Sequence, residues 1–143
     1  MKLVDLNILL YAVNEDAPQH TRVLAWWERA VNGDEPVGLP WLVLLGFLRI
    51  ATNRTIFPRP LDPDSAIARV DAWLALDCTR LVPERDGHWG ILRSLLAETG
   101  TVANLVPDAH LAALAISHGA ILVSCDTDFA RFAGLRWENP LGR

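Results

Sequence analysis

The apolar residues of the short strand-like runs in this chain are mostly consecutive rather than at every second position, and helical stretches separate the runs. Residues 2–5, 37–39, 79–82 and 120–123 read as such strands. A strand that is apolar on both faces has to be covered on both, and strands joined through helices run parallel. The predicted fold class is therefore α/β, a three-layer α/β/α arrangement with a mostly parallel central sheet.

The intervening segments have helical spacing and end signals. Asn7 opens an apolar stretch over residues 8–13, and residues 18–31 place Val23, Leu24, Trp27 and Ala30 at three- and four-residue spacings with Gly33 beyond the end. Pro40 suits the first position of a helix over 40–53, with Leu42, Leu45, Gly46 and Arg49 along one side. Asp62-Pro63 opens a helix expected to turn Ile67, Val70, Trp73 and Leu74 inward. Another covers 86–98 and ends at Gly100, 101–105 reads as a loop, and Pro107 starts a helix over 108–118. A helical turn at 129–132 and an edge strand at 135–137 complete the pattern. Trp73 and Trp89 fall in amphipathic patterns and are expected in the core, whereas Trp26 and Trp27 are adjacent and should not both point inward.

A length of 143 residues fits one domain spanning 1–143, and an apolar share of 51% excludes a disordered chain. The positive mean hydropathy suggests that a partner covers some apolar surface. The longest apolar run, 39–48, has about ten residues where a membrane span needs about 20. Asp5 and Asn7 interrupt what would be the apolar part of a signal peptide. A cytoplasmic protein that does not engage a membrane is expected. Cys78 and Cys125 match neither a zinc spacing nor a disulfide framework and read as reduced thiols. The formal charge of −4 works against indiscriminate binding of a polyanion, so any nucleic-acid contact must use a local patch. Of the 13 basic residues all but Lys2 are arginine, which grips phosphate with two parallel hydrogen bonds.

In an open parallel sheet the site lies outside the carboxyl ends of the strands. Acidic residues fall there: Asp5 ends the first strand, Asp126 and Asp128 follow the fourth, and Asp108 heads the helix leading into the fourth. Taken singly, each has an ordinary reading as a turn residue or helix cap. Together they map to one end of one sheet. Two carboxylates about 5 Å apart repel by roughly 3 kcal/mol at an effective dielectric near 20, so a cluster needs a compensating charge. Hard divalent cations with oxygen ligands supply it, and such centres hydrolyse phosphodiesters.

Four stretches carry a resemblance over nearly the whole chain: Val4-Asp5-Leu6-Asn7-Ile8-Leu9-Leu10, Leu45-Gly46-Phe47-Leu48-Arg49-Ile50-Ala51-Thr52-Asn53, Asp108-Ala109-His110-Leu111-Ala112-Ala113-Leu114-Ala115 and Ser124-Cys125-Asp126-Thr127-Asp128-Phe129. Together they resemble PIN-domain proteins, and within them the mycobacterial VapC toxins. The resemblance implies Mg²⁺- or Mn²⁺-dependent endonucleolytic cleavage of RNA, with transfer RNA as the family-level expectation, and inhibition of translation and growth. It also implies a homodimer neutralised by a VapB-like antitoxin. Residue by residue, it makes Asp5, Asp108 and Asp126 metal-binding acids, Asp128 an auxiliary catalytic acid, and Asn7 and Ser124 orienting neighbours.

One position departs from the pattern, because Gly46 stands where the family usually has a glutamate. A catalytically weak module that binds RNA or antitoxin is therefore one alternative, and a metal-dependent DNA nuclease or phosphatase is another. Arg49, one turn beyond Gly46, reads either as a phosphate contact or as a salt bridge to the acids. Arg54 and Arg59 read as RNA contacts or solvated loop charges. The four histidines show no ligand spacing, and His110 is assigned no catalytic role.

Overall fold

Every strand in the sheet runs parallel to its neighbours, and the order of pairing places the first strand at the centre. The computed structural model describes residues 1–100 and 103–142. Its strands are β1 (Lys2–Val4), β2 (Val37–Leu39), β3 (Thr79–Leu81), β4 (Ile121–Val123) and β5 (Trp137–Glu138), in the order β3-β2-β1-β4-β5. Lys2, Leu3 and Val4 lie beside Ile121, Leu122 and Val123 of β4, while Lys2 and Leu3 lie beside Val37 and Gly38 of β2. The backbone N–H of Asp5 continues this ladder by donating to the Val123 carbonyl at 2.9 Å.

Two helices enter each of the first three crossovers: α1 (Leu6–Val13) and α2 (His20–Val31), α3 (Trp41–Ala51) and α4 (Pro63–Leu74), and α5 (His88–Thr99) and α6 (Val106–Ser117). The first four pack in the chain α2-α1-α3-α4, while α5 packs on α6 and α6 on β4. Right-handed crossovers account for this, because the chain moves outward from β1 to β3 on one face and must return to β4 across the other. Leu3, Val4, Leu39, Leu122 and Val123 are fully buried between the layers, as their two-sided apolar character requires.

Several ends follow from local chemistry. Asp62 caps α4 by accepting from the Ser65 N–H at 2.8 Å, with Pro63 in the first turn. Gly100 ends α5 at φ 76°, a left-handed conformation that glycine takes without steric cost. Of the segment read as a loop, Thr101 and Val102 lie outside the described residues, and Ala103–Leu105 forms a 3₁₀ turn rather than a loop. The last strand falls on Trp137–Glu138 rather than 135–137.

Side-chain placement corrects four expectations. On α4 the buried stripe is Ala66, Val70 and Trp73, whereas Ile67 and Leu74 are exposed. Small Ala66 sits on the core side, rotating the stripe by one position. Trp89 is 64% exposed, since α5 turns its opposite face to α6. Trp26 and Trp27 are both buried. Neighbouring elements cover α2 on two sides: Trp27 meets Trp73 edge-on at 5.9 Å, and the Trp26 Nε1–H donates to Glu138 at 3.3 Å. The histidines also meet, with His88 Nε2 3.0 Å from His110 Nδ1 and Glu84 3.4 Å from His110 Nε2.

Among the described residues no helix is long and apolar enough to cross a membrane. Among the described residues neither Cys78 nor Cys125 forms a disulfide.

Candidate metal centre

The order of strand connection reverses between the parallel neighbours β1 and β4, since the chain leaves β1 toward β2 on one side and returns to β4 on the other. Such a switch point opens a crevice at the carboxyl ends of its two strands. Asp5 follows β1 directly, while Ser124 and Asp126 follow β4. Asp5 is also the N-cap of α1, with Oδ1 accepting from the Leu6 N–H at 2.7 Å. The capping geometry that starts the helix thus fixes the carboxylate at the strand end.

A polar latch joins the two strand ends. The fully buried Ser124 hydroxyl donates to Asp5 Oδ2 at 2.7 Å and accepts from Asn7 Nδ2 at 3.1 Å and from the Asp126 N–H at 3.0 Å. Asn7 also donates to Asp5 Oδ2 at 3.2 Å and accepts the Cys125 N–H at 3.1 Å. Asp126 Oδ1 in turn accepts from the Asp128 N–H at 2.9 Å, capping a 3₁₀ turn over Thr127–Arg131. Asn7 and Ser124, the two neighbours that the resemblance singled out, thus both donate to Asp5 Oδ2.

Asp108 enters from the first turn of α6. Carboxylate oxygens of Asp108, Asp126 and Asp128 lie within 4.8 Å of one another. Asp5 stands beside this trio rather than in it: burial raises its pKa, the bonds from Ser124 and Leu6 oppose the rise, and the charge of Asp126 adds to it. Asp108 is pushed up to about 7, first by burial and then by the charges of Asp5, Asp126 and Asp128. The only ion pair to any of these acids among the described residues is an exposed contact from Arg131 to Asp128 at 3.7 Å. Four converging carboxylates with so little compensating charge form a hard oxygen donor set, and a divalent cation fits it.

Next to the acids lies a cavity of about 360 Å³, lined by Asp5 and Asp108 together with Leu42, Leu45, Gly46 and Arg49 of α3. The side of α3 read from the sequence thus faces the site. Gly46 is buried, and a Cβ there would meet Leu6 Cδ2 at 2.9 Å. Among the described residues no ion pair links Arg49 to the acids. Arg59 is bound to Asp16 through two nitrogens, at 2.8 and 2.5 Å, and Arg54 is exposed. One neighbour absent from the sequence reading is Tyr11, whose pKa is raised by burial and by the charges of Cys125 and Asp126. Its position four residues after Asn7, on the same helix face, was the available signal.

Residues 2–135 match the family model of the PIN domain. Ribonuclease VapC37 of Mycobacterium tuberculosis is 49% identical over 140 residues, which cover 98% of this chain and 97% of the relative. Ribonuclease VapC33 of the same organism is 45% identical over 141 residues, 99% of each chain. Among solved structures, VapBC2 from Rickettsia felis bound to a promoter DNA fragment aligns with a TM-score of 0.71 at 19% identity, covering 96% of this chain and 97% of the other. VapC20 of Mycobacterium tuberculosis, a toxin cleaving the sarcin-ricin loop, aligns with a TM-score of 0.68 at 16% identity, covering 95% and 99%. At these identities the two structures establish the shared fold.

Proposed function

The chain belongs to the PIN-domain family, and we propose on that premise that it is a divalent-metal-dependent endoribonuclease, the toxin of a type II toxin–antitoxin pair. The observation that carries this reading is the convergence of Asp5, Asp108, Asp126 and Asp128 at the β1/β4 switch point, with Asp108 pushed up to about 7. Asp108, Asp126 and Asp128 would hold the cation, and Asp5, beside them, would complete the set. When bound, Mg²⁺ or Mn²⁺ supplies Lewis-acid activation of water and neutralises charge on the scissile phosphate. Ser124 and Asn7 keep the Asp5 carboxylate in one orientation, so little reorganisation is needed when substrate arrives. Arg49, the cation in the adjoining cavity, binds substrate.

The relatives named ribonucleases support RNA as the substrate. Transfer RNA is the finer reading, and inhibition of translation and growth its consequence. Two copies of the chain form a homodimer in the cytoplasm, and a VapB-like antitoxin lays an arginine-bearing segment across the acids, replacing the cation's charge with a guanidinium. Gly46 favours one competing reading, a fold that binds RNA or antitoxin without efficient chemistry.

The test is cleavage of RNA by the purified chain with Mg²⁺, with Mn²⁺ and with EDTA, beside Asp126→Asn. Metal-dependent cleavage by the wild type alone is expected. RNA binding without cleavage establishes the competing reading, and turnover only of DNA or phosphomonoesters replaces the substrate class.

A further inference from the structure

The cavity beside the acids combines three kinds of lining. Asp5 and Asp108 give it a carboxylate wall, Leu42, Leu45 and Leu111 an apolar one, and Arg49 a guanidinium. Its volume of about 360 Å³ falls within the range of sites that hold small-molecule-sized groups, and apolar walls with a few convergent polar groups are their usual composition. Gly46 also lines it, at the point where α3 packs so closely on Leu6 that a Cβ would meet Leu6 Cδ2 at 2.9 Å.

We infer that this cavity is a nucleobase subsite, taking one unstacked guanine of single-stranded RNA beside the bond that is cleaved, with Arg49 reading its O6 and N7. The inference rests on the ribonuclease reading above. Asp5 and Asp108, of the acid set that would hold the cation at the scissile phosphate, form part of the cavity wall, so the group within reach of the cavity is the base of an adjoining nucleotide. Unstacked bases are recognised by burial against side chains and by hydrogen bonds to their edges. Arg49 has donors and no acceptor, which selects a base edge with two adjacent acceptors. Guanine presents O6 and N7, whereas adenine sets a donor at N6 beside N7 and cytosine a donor at N4. With no ion pair to the acids among the described residues, the guanidinium can take that edge.

The experiment uses uridine-flanked oligoribonucleotides with one variable residue: guanosine, inosine, 7-deazaguanosine or adenosine. Wild type in Mn²⁺ is expected to cleave the guanosine and inosine substrates with kcat/KM about tenfold or more above the other two, the scale of one bidentate base contact. Arg49→Met, which removes every donor from that side chain, should collapse that ratio. Leu45→Trp alters an exposed position, checked for folding by circular dichroism, and should raise KM for the guanosine substrate by filling the cavity. Equal kcat/KM on all four substrates overturns the subsite and leaves the ribonuclease reading intact. If none is cleaved, the panel is read by fluorescence anisotropy in EDTA; tighter binding of guanosine than 7-deazaguanosine supports the subsite, and equal affinity overturns it.

Discussion

Asp108 lies in the first turn of a helix, where the N-terminus favours negative charge, yet burial and three neighbouring carboxylates raise its pKa to about 7. Protonation in the fold is therefore easier than in the unfolded chain, where an aspartate titrates near 3.8. The folded state binds the extra proton between those values. Its stabilising effect is complete below about 3.8 and is lost as the pH rises through about 7. Metal-free protein is thus expected to lose thermal stability from this site between about pH 3.8 and about pH 7, the span of the shift, and Mn²⁺ at about pH 8 should restore it. Melting curves with EDTA and with Mn²⁺ test this; a metal-free midpoint unchanged or rising across the window counts against the site electrostatics. Asp108→Asn removes the repulsion permanently. It should raise the metal-free melting temperature at pH 8 while lowering metal-dependent RNA cleavage by about a hundredfold, a cost of roughly 3 kcal/mol in the barrier.

Elements meet at this site through two contacts, one polar and one apolar. The polar contact is the Ser124 latch between the end of β4 and the start of α1. Ser124→Ala leaves the buried Asp5 carboxylate without its shortest side-chain donor, and should cost about 1–3 kcal/mol in urea denaturation. The apolar contact is Gly46 of α3 against Leu6 of α1. A side chain at position 46 must displace Leu6 Cδ2, the end of a flexible side chain, and removing the helical glycine recovers about 1 kcal/mol of propensity. Gly46→Glu is accordingly expected to fold and to bring a fifth carboxylate beside the four acids. Cleavage should then reach half its maximum at lower Mg²⁺ or Mn²⁺ than in wild type. A folded variant with an unchanged metal requirement would show that position 46 does not serve the acids.

The whole molecule leaves apolar surface uncovered at Trp41, Ile56, Ile67 and Trp89. Single exposed apolar residues are ordinary, but this number of large ones on a 15.8 kDa chain fits the proposed homodimer. Light scattering at micromolar concentration should report twice the chain mass, and a monomer mass would remove the dimer from the proposal. The surface also carries the Arg59–Asp16 pair, which ties the loop before α4 to the turn after α1. Both partners are well exposed, so the pair is expected to matter little to stability.

Much of this architecture is legible in local sequence. Leu3-Val4 and Leu122-Val123 are apolar on consecutive positions, so both faces of their strands had to be covered, and that alone implied helices on either side of a parallel sheet. The ends of those strands then marked Asp5 and Asp126 as neighbours in function although they lie 121 positions apart. Capping residues such as Asp62 and Gly100 were equally readable, because their bonds and dihedrals involve only adjacent residues. What the tertiary structure alone decided is which side of each helix met a neighbour. Trp26 and Trp27 are both buried because α2 is covered on two sides, while Ile67, Leu74 and Trp89 are exposed because their helices are rotated by packing that periodicity does not encode. The pairing order β3-β2-β1-β4-β5, the contact of His88 with His110, and the closeness of Gly46 to Leu6 have the same origin: each depends on long-range burial, which rewards contacts regardless of their separation along the chain.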